Sequence, residues 1–368
     1  MMNGFTAIFR KELTQMLRDK TTLLFSLGIP TIQLILFGTI DMNAKNIPTV
    51  VFDQSRTQES RRLQEQFQAT SYLNIIGQAH SRAELQKAIV SGGAQVAIEI
   101  PPDYARNIVA NRAADVLVLI DGSDSSVANQ ALAAANGVVL SNAVQKMMER
   151  TRTQPLIEAH PVMMFNPDMR SANLLIPGLV GILLTFSATI LSAFAIVKER
   201  ERGTLEQLMV TPVSPLAVVL GKILPYLGVA YTTLIIVLVL MVALFRVPVN
   251  GNLWLLLALS PVYLMALLSL GLLISSRAKT QVEAMQMAMG VMLPSVLLSG
   301  YILPLSSLPA PLRVISAIIP ATHFIKFARG VIIRGATFAD LWQPVVALIA
   351  ISTVLIAASA RAFQKTVT

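Results

Sequence analysis

KERERGTLEQLMVTPVSPLAVVLGK, residues 198–222, is a polar, mixed-charge stretch held between two long apolar runs, 173–197 and 223–245. Runs of that length match the hydrocarbon thickness of a bilayer, so the chain between them must turn back at a membrane face. From Lys198 to Arg202 the charges alternate, and Glu206 follows Gly203-Thr204-Leu205; such a segment stays solvated. Leu205, Leu208 and Met209 recur at i, i+3 and i+4, which gives a short helix one apolar face to offer a partner or the lipid interface. Pro212 and Pro215 end it. An ordinary cytoplasmic loop with basic flanks has the same composition; a docking helix is the sharper alternative.

Composition makes the membrane reading general. The 368 residues are 54% hydrophobic and 13% charged, against about 25% charged in soluble domains, and the mean hydropathy is +0.64. A net charge of +9 would in a soluble chain suggest nucleic-acid binding. Here the basic residues cluster at segment ends, where topology accounts for them, and no nucleic acid is expected. With no cysteine there is neither a disulfide framework nor a thiolate site. His80, His160 and His323 are scattered, so no metal site is expected.

Upstream of the opening stretch, residues 1–20 carry Phe5, Phe9, Leu13 and Met16 on one helical face, which suits a helix lying in the membrane interface rather than a frayed tail. Residues 21–40 are the first span and read as an uncleaved anchor, since no small-x-small site follows at Asp41–Lys45. Residues 41–172 form a polar domain alternating strand-like runs (48–53, 72–78, 94–100, 115–121, 159–165) with helix-like ones (56–69, 81–91, 102–110, 124–150), which predicts an α/β layer on a mixed sheet. Asp121-Gly122-Ser123-Asp124 reads as a strand end and helix cap rather than an acidic metal loop. With no Gly-rich phosphate loop or catalytic Ser/His pair, the domain is expected to bind or gate rather than catalyse.

Downstream, 253–276, 282–303 and 341–360 complete the five spans of 173–368, which with 21–40 make six. Thr185, Thr189 and Ser192 share one face of the second span, and Met285, Met289 and Met292 one face of the fifth. Helix packing is the leading reading for both sets, with lining of a substrate path as the alternative. Between the fifth and sixth spans, 304–325 breaks into proline-bounded pieces too short to cross, as a re-entrant segment does. Arg10, Lys11, Arg18, Lys20, Lys198, Arg200, Arg202, Lys222, Arg277, Lys279, Arg361 and Lys365 all fall on the side of the termini, which places both termini in the cytoplasm and 41–172 outside.

The apolar interiors of the spans read as free of Asp, Glu, Lys and Arg, which argues against an ion-coupled carrier. Gly221-Lys222 is the only Gly-Lys pair, and Leu216 stands where a P-loop needs its first glycine. Any energy must therefore arrive through a partner.

The run E-R-E-x-G-T-L-E-Q-L-x-V-T-P, Glu199 to Pro212, resembles the cytoplasmic loop of ABC-2 type ABC transporter permeases. The pieces Leu298-Ser299-Gly300-Tyr301-Ile302-Leu303-Pro304, Leu308-Pro309 and Pro320-x-x-x-Phe324 resemble that family's two short outer helices. Ile319-Pro320 and His323 depart from the Tyr and Asn-Pro often found there. The resemblance covers nearly the whole chain and implies an α-helical integral membrane protein: six transmembrane helices, an N-terminal elbow helix, outer re-entrant helices and an inserted α/β extracytoplasmic domain. It implies coupling to a separate ABC ATP-binding subunit through Glu199, Arg200, Glu201, Arg202, Gly203, Thr204, Leu205, Glu206, Gln207 and Pro212. It also implies an outer gate at Ser299, Gly300, Tyr301, Pro304, Pro309, Pro320 and Phe324.

As a family member the chain would be a non-catalytic exporter permease of a bacterial inner membrane, with ATP and Mg held by the partner subunit. It would pair with a second permease, identical or related, and with a periplasmic membrane-fusion adaptor in multidrug-type members. Amphipathic or apolar substrates such as drugs or lipids would be moved. Two competing readings are an ABC-driven mechanotransmission subunit, which would have about four spans, and a membrane-anchored receptor using 41–172, which would need only one or two anchors.

Overall fold

The computed structural model describes residues 2–40, 45–110, 112–151, 164–168, 170–204 and 214–365. It resolves into two compact units, one built from 1–40 with 163–368 and the other from 41–162. The chain opens with α1 (Met2–Arg18), which buries Ile8, Glu12 and Met16 at i, i+4 and i+8. The apolar stripe expected at Phe5, Phe9 and Leu13 is half-buried at the edge of that face, where Phe5 and Phe9 stack at 6.2 Å. Asp19 then breaks the helix and caps α2 (Lys20–Gly38), accepting from Thr22 N at 3.0 Å.

In the second unit, β1 (Ile47–Asp53), α3 (Gln58–Ala69), β2 (Leu73–Gln78), α4 (Arg82–Val90), β3 (Val96–Ile100), α5 (Tyr104–Val109), β4 (Leu117–Ile120) and α6 (Ser125–Thr151) follow in order. The sheet order is β2-β1-β3-β4, with β1 parallel to both β2 and β3 and β4 antiparallel to β3. β1 alternates in burial, so Ile47 and Val51 meet Leu63 and Phe67 of α3 and Val127 and Ala131 of α6 on one face. Val50 and Phe52 meet Leu85 and Ile89 of α4 on the other. Asp121 accepts from Ser123 N at 2.9 Å and Asp124 from Ser126 N at 2.8 Å, the strand-end and cap geometry expected of that stretch. Most of the strand expected at 159–165 lies outside the described residues.

The remaining helices are α7 (Ser171–Glu201), α8 (Pro215–Ala243), α9 (Leu253–Arg277), α10 (Gln281–Leu298), α11 (Ala310–Ala317), α12 (Pro320–Ile332) and α13 (Trp342–Lys365). Among the described residues, α2, α7, α8, α9, α10 and α13 are long and apolar enough to cross a membrane, which makes this a multi-pass membrane protein. The segment between α10 and α13 is broken as its prolines foretell. A 3₁₀ turn at Leu305–Ser307 leads into α11, Pro309 precedes it, Pro320 opens α12, and the two helices meet at 80°.

The helices differ from the sequence expectation at the decisive loop. The short helix expected to end at Pro212 and Pro215 lies outside the described residues, and Pro215 itself opens a helix. It is the first residue of α8, with Ser214 as cap accepting from Ala217 N, the arrangement proline favours because its missing N–H costs nothing at that position. α7 runs on to Glu201 and closes in a Schellman turn at Gly203, whose φ of +68° only glycine adopts freely. Gly203 N donates to Arg200 O and Thr204 N to Glu199 O. At 1.5 Å per residue α7 is about 46 Å long, more than the ~30 Å hydrocarbon core. The loop therefore shrinks, Glu199 and Lys222 become helix residues, and Glu283 lies in the first turn of α10. Glu283 falls within the expected span 282–303, which corrects the expectation that the spans carry no charge.

α7 packs along α9 at the centre of the bundle. Gly271 makes this possible: a Cβ there would lie 2.0 Å from Ser192 Oγ and 2.4 Å from Thr189 O. Further along the same pair, Tyr263 OH and Thr185 Oγ1 are 2.7 Å apart and both reach Gly181 O, at 2.8 and 2.9 Å.

Candidate functional site

The C-terminal end of α7 is tied to five other helices. Lys222 of α8 is 1% exposed, and its Nζ donates to Glu12 Oε1 of α1 at 2.6 Å. It also pairs with Glu199 Oε2 at 2.9 Å without hydrogen-bond alignment. Glu199 Oε1 accepts from Lys11 Nζ at 2.5 Å, and Glu12 Oε2 from Tyr226 OH at 3.2 Å. Two carboxylates and two ammoniums thus neutralise one another where Glu12 and Glu199 are only 4% and 5% exposed. Burial makes such a cluster stable only while every member is present.

The neighbouring residues extend the linkage. Lys198 Nζ donates to Asp19 Oδ2 at 2.5 Å, at the α1–α2 break. Arg200 reaches the carbonyls of Ala278 and Ser276 at the end of α9, and Glu201 accepts from the backbone and side chain of Gln281 at the start of α10. Only Glu201, Arg202 and Gly203 are exposed among residues 198–204. Leu205, Glu206, Gln207 and Pro212 lie outside the described residues.

Asp19 reports on this linkage. Its hydrogen bond with Lys198, assisted by the Thr22 N–H, lowers its pKa from 3.8 to about 2. A depressed carboxylate adds stability that is fully present above its unfolded value, about 3.9, and is lost as pH falls toward 2. Lys198→Gln is expected to return the Asp19 midpoint toward 3.8 in a carboxyl-carbon NMR titration; a midpoint that stays near 2 would show that Lys198 is not its cause.

The start of α7, the end of α8, the start of α9 and the end of α10 gather at the opposite end of the bundle. Arg170 Nη2 donates there to Phe245 O at 3.0 Å, and Asn250 Nδ2 to Ile333 O at 2.6 Å. α12 places Arg329 against the turn after α10, where Nη1 donates to Gly300 O at 3.0 Å and Nη2 to Tyr301 O at 3.2 Å and Leu174 O at 3.3 Å. Gly300 ends α10 with φ +80°. Arg329→Gln is expected to loosen this turn, raising hydrogen exchange at Tyr301–Leu303 by about tenfold, as the loss of ~1.4 kcal/mol would; unchanged exchange would leave the turn held by packing alone.

The sequence-derived positions fall into distinct environments. Phe324 is fully buried and stacks on Tyr263 at 4.1 Å and 5°, so it belongs to the bundle core. Ser299 and Gly300 line an open cavity with Pro304. Pro309 and Pro320 start the two bent helices, and His323 Nε2 lies 2.8 Å from Ala317 O across the bend. Thr185, Thr189 and Ser192 are buried between α7 and α9, and the Thr189 hydroxyl has no hydrogen-bond partner among the described residues. Met292 is buried against Ala193 and Val197, whereas Met285 and Met289 are 44% and 46% exposed.

Glu12, Lys222, Asp19 and Arg329 are functional candidates that sequence patterning missed. For Glu12 a signal existed: a lone acid between Ile8 and Met16 on one helical face. The others carry their meaning only through distant partners.

Comparison with known proteins agrees with this architecture. The family model for ABC-2 family transporter protein matches residues 20–361. The chain is 29% identical over 333 residues to the "Probable multidrug ABC transporter permease YbhS" of Escherichia coli strain K12, covering 89% of this chain and 88% of that protein. It is 27% identical to the "Probable multidrug ABC transporter permease YbhR" of the same strain over the full length of both. It is 28% identical to the "Inner membrane transport permease YhhJ" of that strain, covering 97% of this chain and 96% of that protein. With six membrane-capable helices among the described residues and a family match that runs from the first of them into the last, the chain belongs to the ABC-2 family of transporter proteins.

Proposed function

We propose that the chain is the permease subunit of an ATP-driven exporter that moves amphipathic or apolar molecules out of the cytoplasm or inner membrane, taking force from a separate ATP-binding subunit through residues 198–214. The observation that carries this is the linkage at the end of α7. Lys198, Glu199, Arg200 and Glu201 bond respectively to the α1–α2 break, to α1 and α8, to α9 and to α10. A displacement of the chain just beyond Gly203 is thereby handed to the bundle as a whole instead of being absorbed by one helix.

The exposed Glu201, Arg202 and Gly203, with the Leu205–Pro212 segment, form the docking part of this unit; the buried Glu199 and half-buried Arg200 anchor it. α1 serves as the elbow helix of the cytoplasmic face, both termini are cytoplasmic, and the 41–162 unit is periplasmic. ATP and Mg belong to the partner. The broadly exposed apolar faces of α2 and α10, with Leu24 and Leu293 at 70% and 63%, suit lipid and a second permease. The relatives named as multidrug permeases support this substrate class; a periplasmic membrane-fusion adaptor is the further partner we propose.

The test is a mild-detergent pull-down from native membranes, with mass spectrometry and an ATPase assay on the eluate. Wild type is expected to bring down an ATP-binding subunit and its activity, and Glu206→Lys to lose at least about tenfold of both, as expected when like charge meets a charged interface, while inserting normally. A chain that emerges without ATPase activity, or a variant that binds as wild type does, sinks the docking role.

A further inference from the structure

The end of the bundle remote from Glu199 holds an open cavity of ≈ 450 Å³ lined by Lys326, Arg329 and Arg334 with Asn166, Asn173 and Leu174. No Asp or Glu lines it, and none of the three cations has an ion-pair partner among the described residues. Asp340, six residues beyond Arg334 in the chain, is engaged by Thr337 N and Oγ1 at 2.9 and 2.7 Å. Arg329 is held by three carbonyls, which fix its position and leave its charge unneutralised. Its Nε is buried without a partner, as is Oδ1 of Asn173, a residue 6% exposed. Buried polar atoms of this kind are normally satisfied.

The same end is also apolar at its edge. Leu174 is 61% exposed, Ile302 56%, Val314 of α11 70%, and Ile318 just after α11 69%. A cavity of ≈ 450 Å³ sits at the small end of ligand pockets, roughly 300–1,000 Å³, and takes a headgroup but not acyl chains. We propose that this cavity binds a phosphoryl group, with Lys326 and Arg334 as the mobile cations, Arg329 as the fixed one and Asn173 Oδ1 accepting from a neighbouring hydroxyl. Arginine and lysine together supply the forked and point-like donors a tetrahedral anion needs. In a lipid the acyl chains lie outside, along Leu174 and α11.

The inference depends on the chain being membrane-embedded and not on an ATP-binding partner, so it is tested on the purified full chain alone, and its failure leaves the permease reading standing. Native mass spectrometry of delipidated protein would compare retention of phosphatidylglycerol with diacylglycerol of the same chains. Wild type is expected to prefer the phosphoryl lipid by about tenfold, Lys326→Gln/Arg334→Gln to fall to about parity, and Lys326→Arg/Arg334→Lys to retain the preference. Both positions are exposed, so neither pair of changes disturbs the core. Displacement of the lipid by millimolar inorganic phosphate would assign the site to free phosphate-bearing solutes; persistence would assign it to lipid, and either outcome upholds phosphoryl recognition. No preference in wild type, or an equal preference in the glutamine variant, overturns it.

Discussion

Lys222→Met is expected to destabilise the folded chain by about 3–5 kcal/mol, the usual result of removing one member of a buried ion cluster. Methionine fills the space, so the loss is electrostatic: Glu12, 4% exposed, keeps only the Tyr226 hydroxyl. Glu199 retains Lys11 at 2.5 Å. For that reason Glu12→Gln/Lys222→Met is expected to recover most of the loss, since no carboxylate is then stranded. Thermal unfolding in detergent of the single and double variants distinguishes this from a packing effect, which the second change would not repair. Equal melting of Lys222→Met and wild type would mean that α1 is held by Ile8 and Met16 alone. Transport should fall with the single variant even where protein survives, because α8 then loses its ionic tie to α1 and α7.

Gly271→Ala is the second large effect. The added methyl would meet Ser192 Oγ at 2.0 Å, Thr189 O at 2.4 Å and Ala193 N at 3.0 Å, and two of those three atoms are backbone. A side chain can turn away but a helix backbone cannot, so α7 and α9 must separate. Overpacking costs about 1–3 kcal/mol and occasionally more, and this site belongs at the top of that range because separation also loosens Tyr263 against Thr185 and Phe324. Ser192→Ala/Gly271→Ala should relieve only part of the strain. Gly228→Ala is the control: nothing lies within 4 Å of a Cβ there, and alanine favours the helix. If both glycine variants melt alike, the α7–α9 approach is not what limits the bundle.

The two variants probe two sets of contacts along α7. The cluster at Glu199 joins α7 to α1 and α8, and the α7–α9 seam lies further along the same helix. α7 joins them because its length spans the bilayer with turns to spare.

Six spans, the proline-broken piece after the fifth and the mixed α/β character of the domain expected at 41–172, of which 41–162 forms the compact unit, were legible from residues alone. Run length, proline position and alternation are local properties, and each is felt by the backbone within a few residues. The loop at 198–222 was legible as polar and was misjudged in length, because Ser214-Pro215 serves equally as a helix stop and a helix start until the neighbouring helix is in place. The Thr185, Thr189 and Ser192 face was legible as a small polar stripe, and its seat against Gly271 was not.

What the amino-acid order determined by itself is how many times this chain crosses and where it must turn, since water and lipid sort each segment separately. What only the tertiary structure decided is which charges neutralise which. Glu12 and Lys222 stand 210 positions apart and meet at 2.6 Å, and Lys11 and Glu199 stand 188 apart and meet at 2.5 Å. Nothing in either segment specifies its partner; the pairing follows from the helix packing that small residues such as Gly271 permit and from the cost of leaving a charge buried alone.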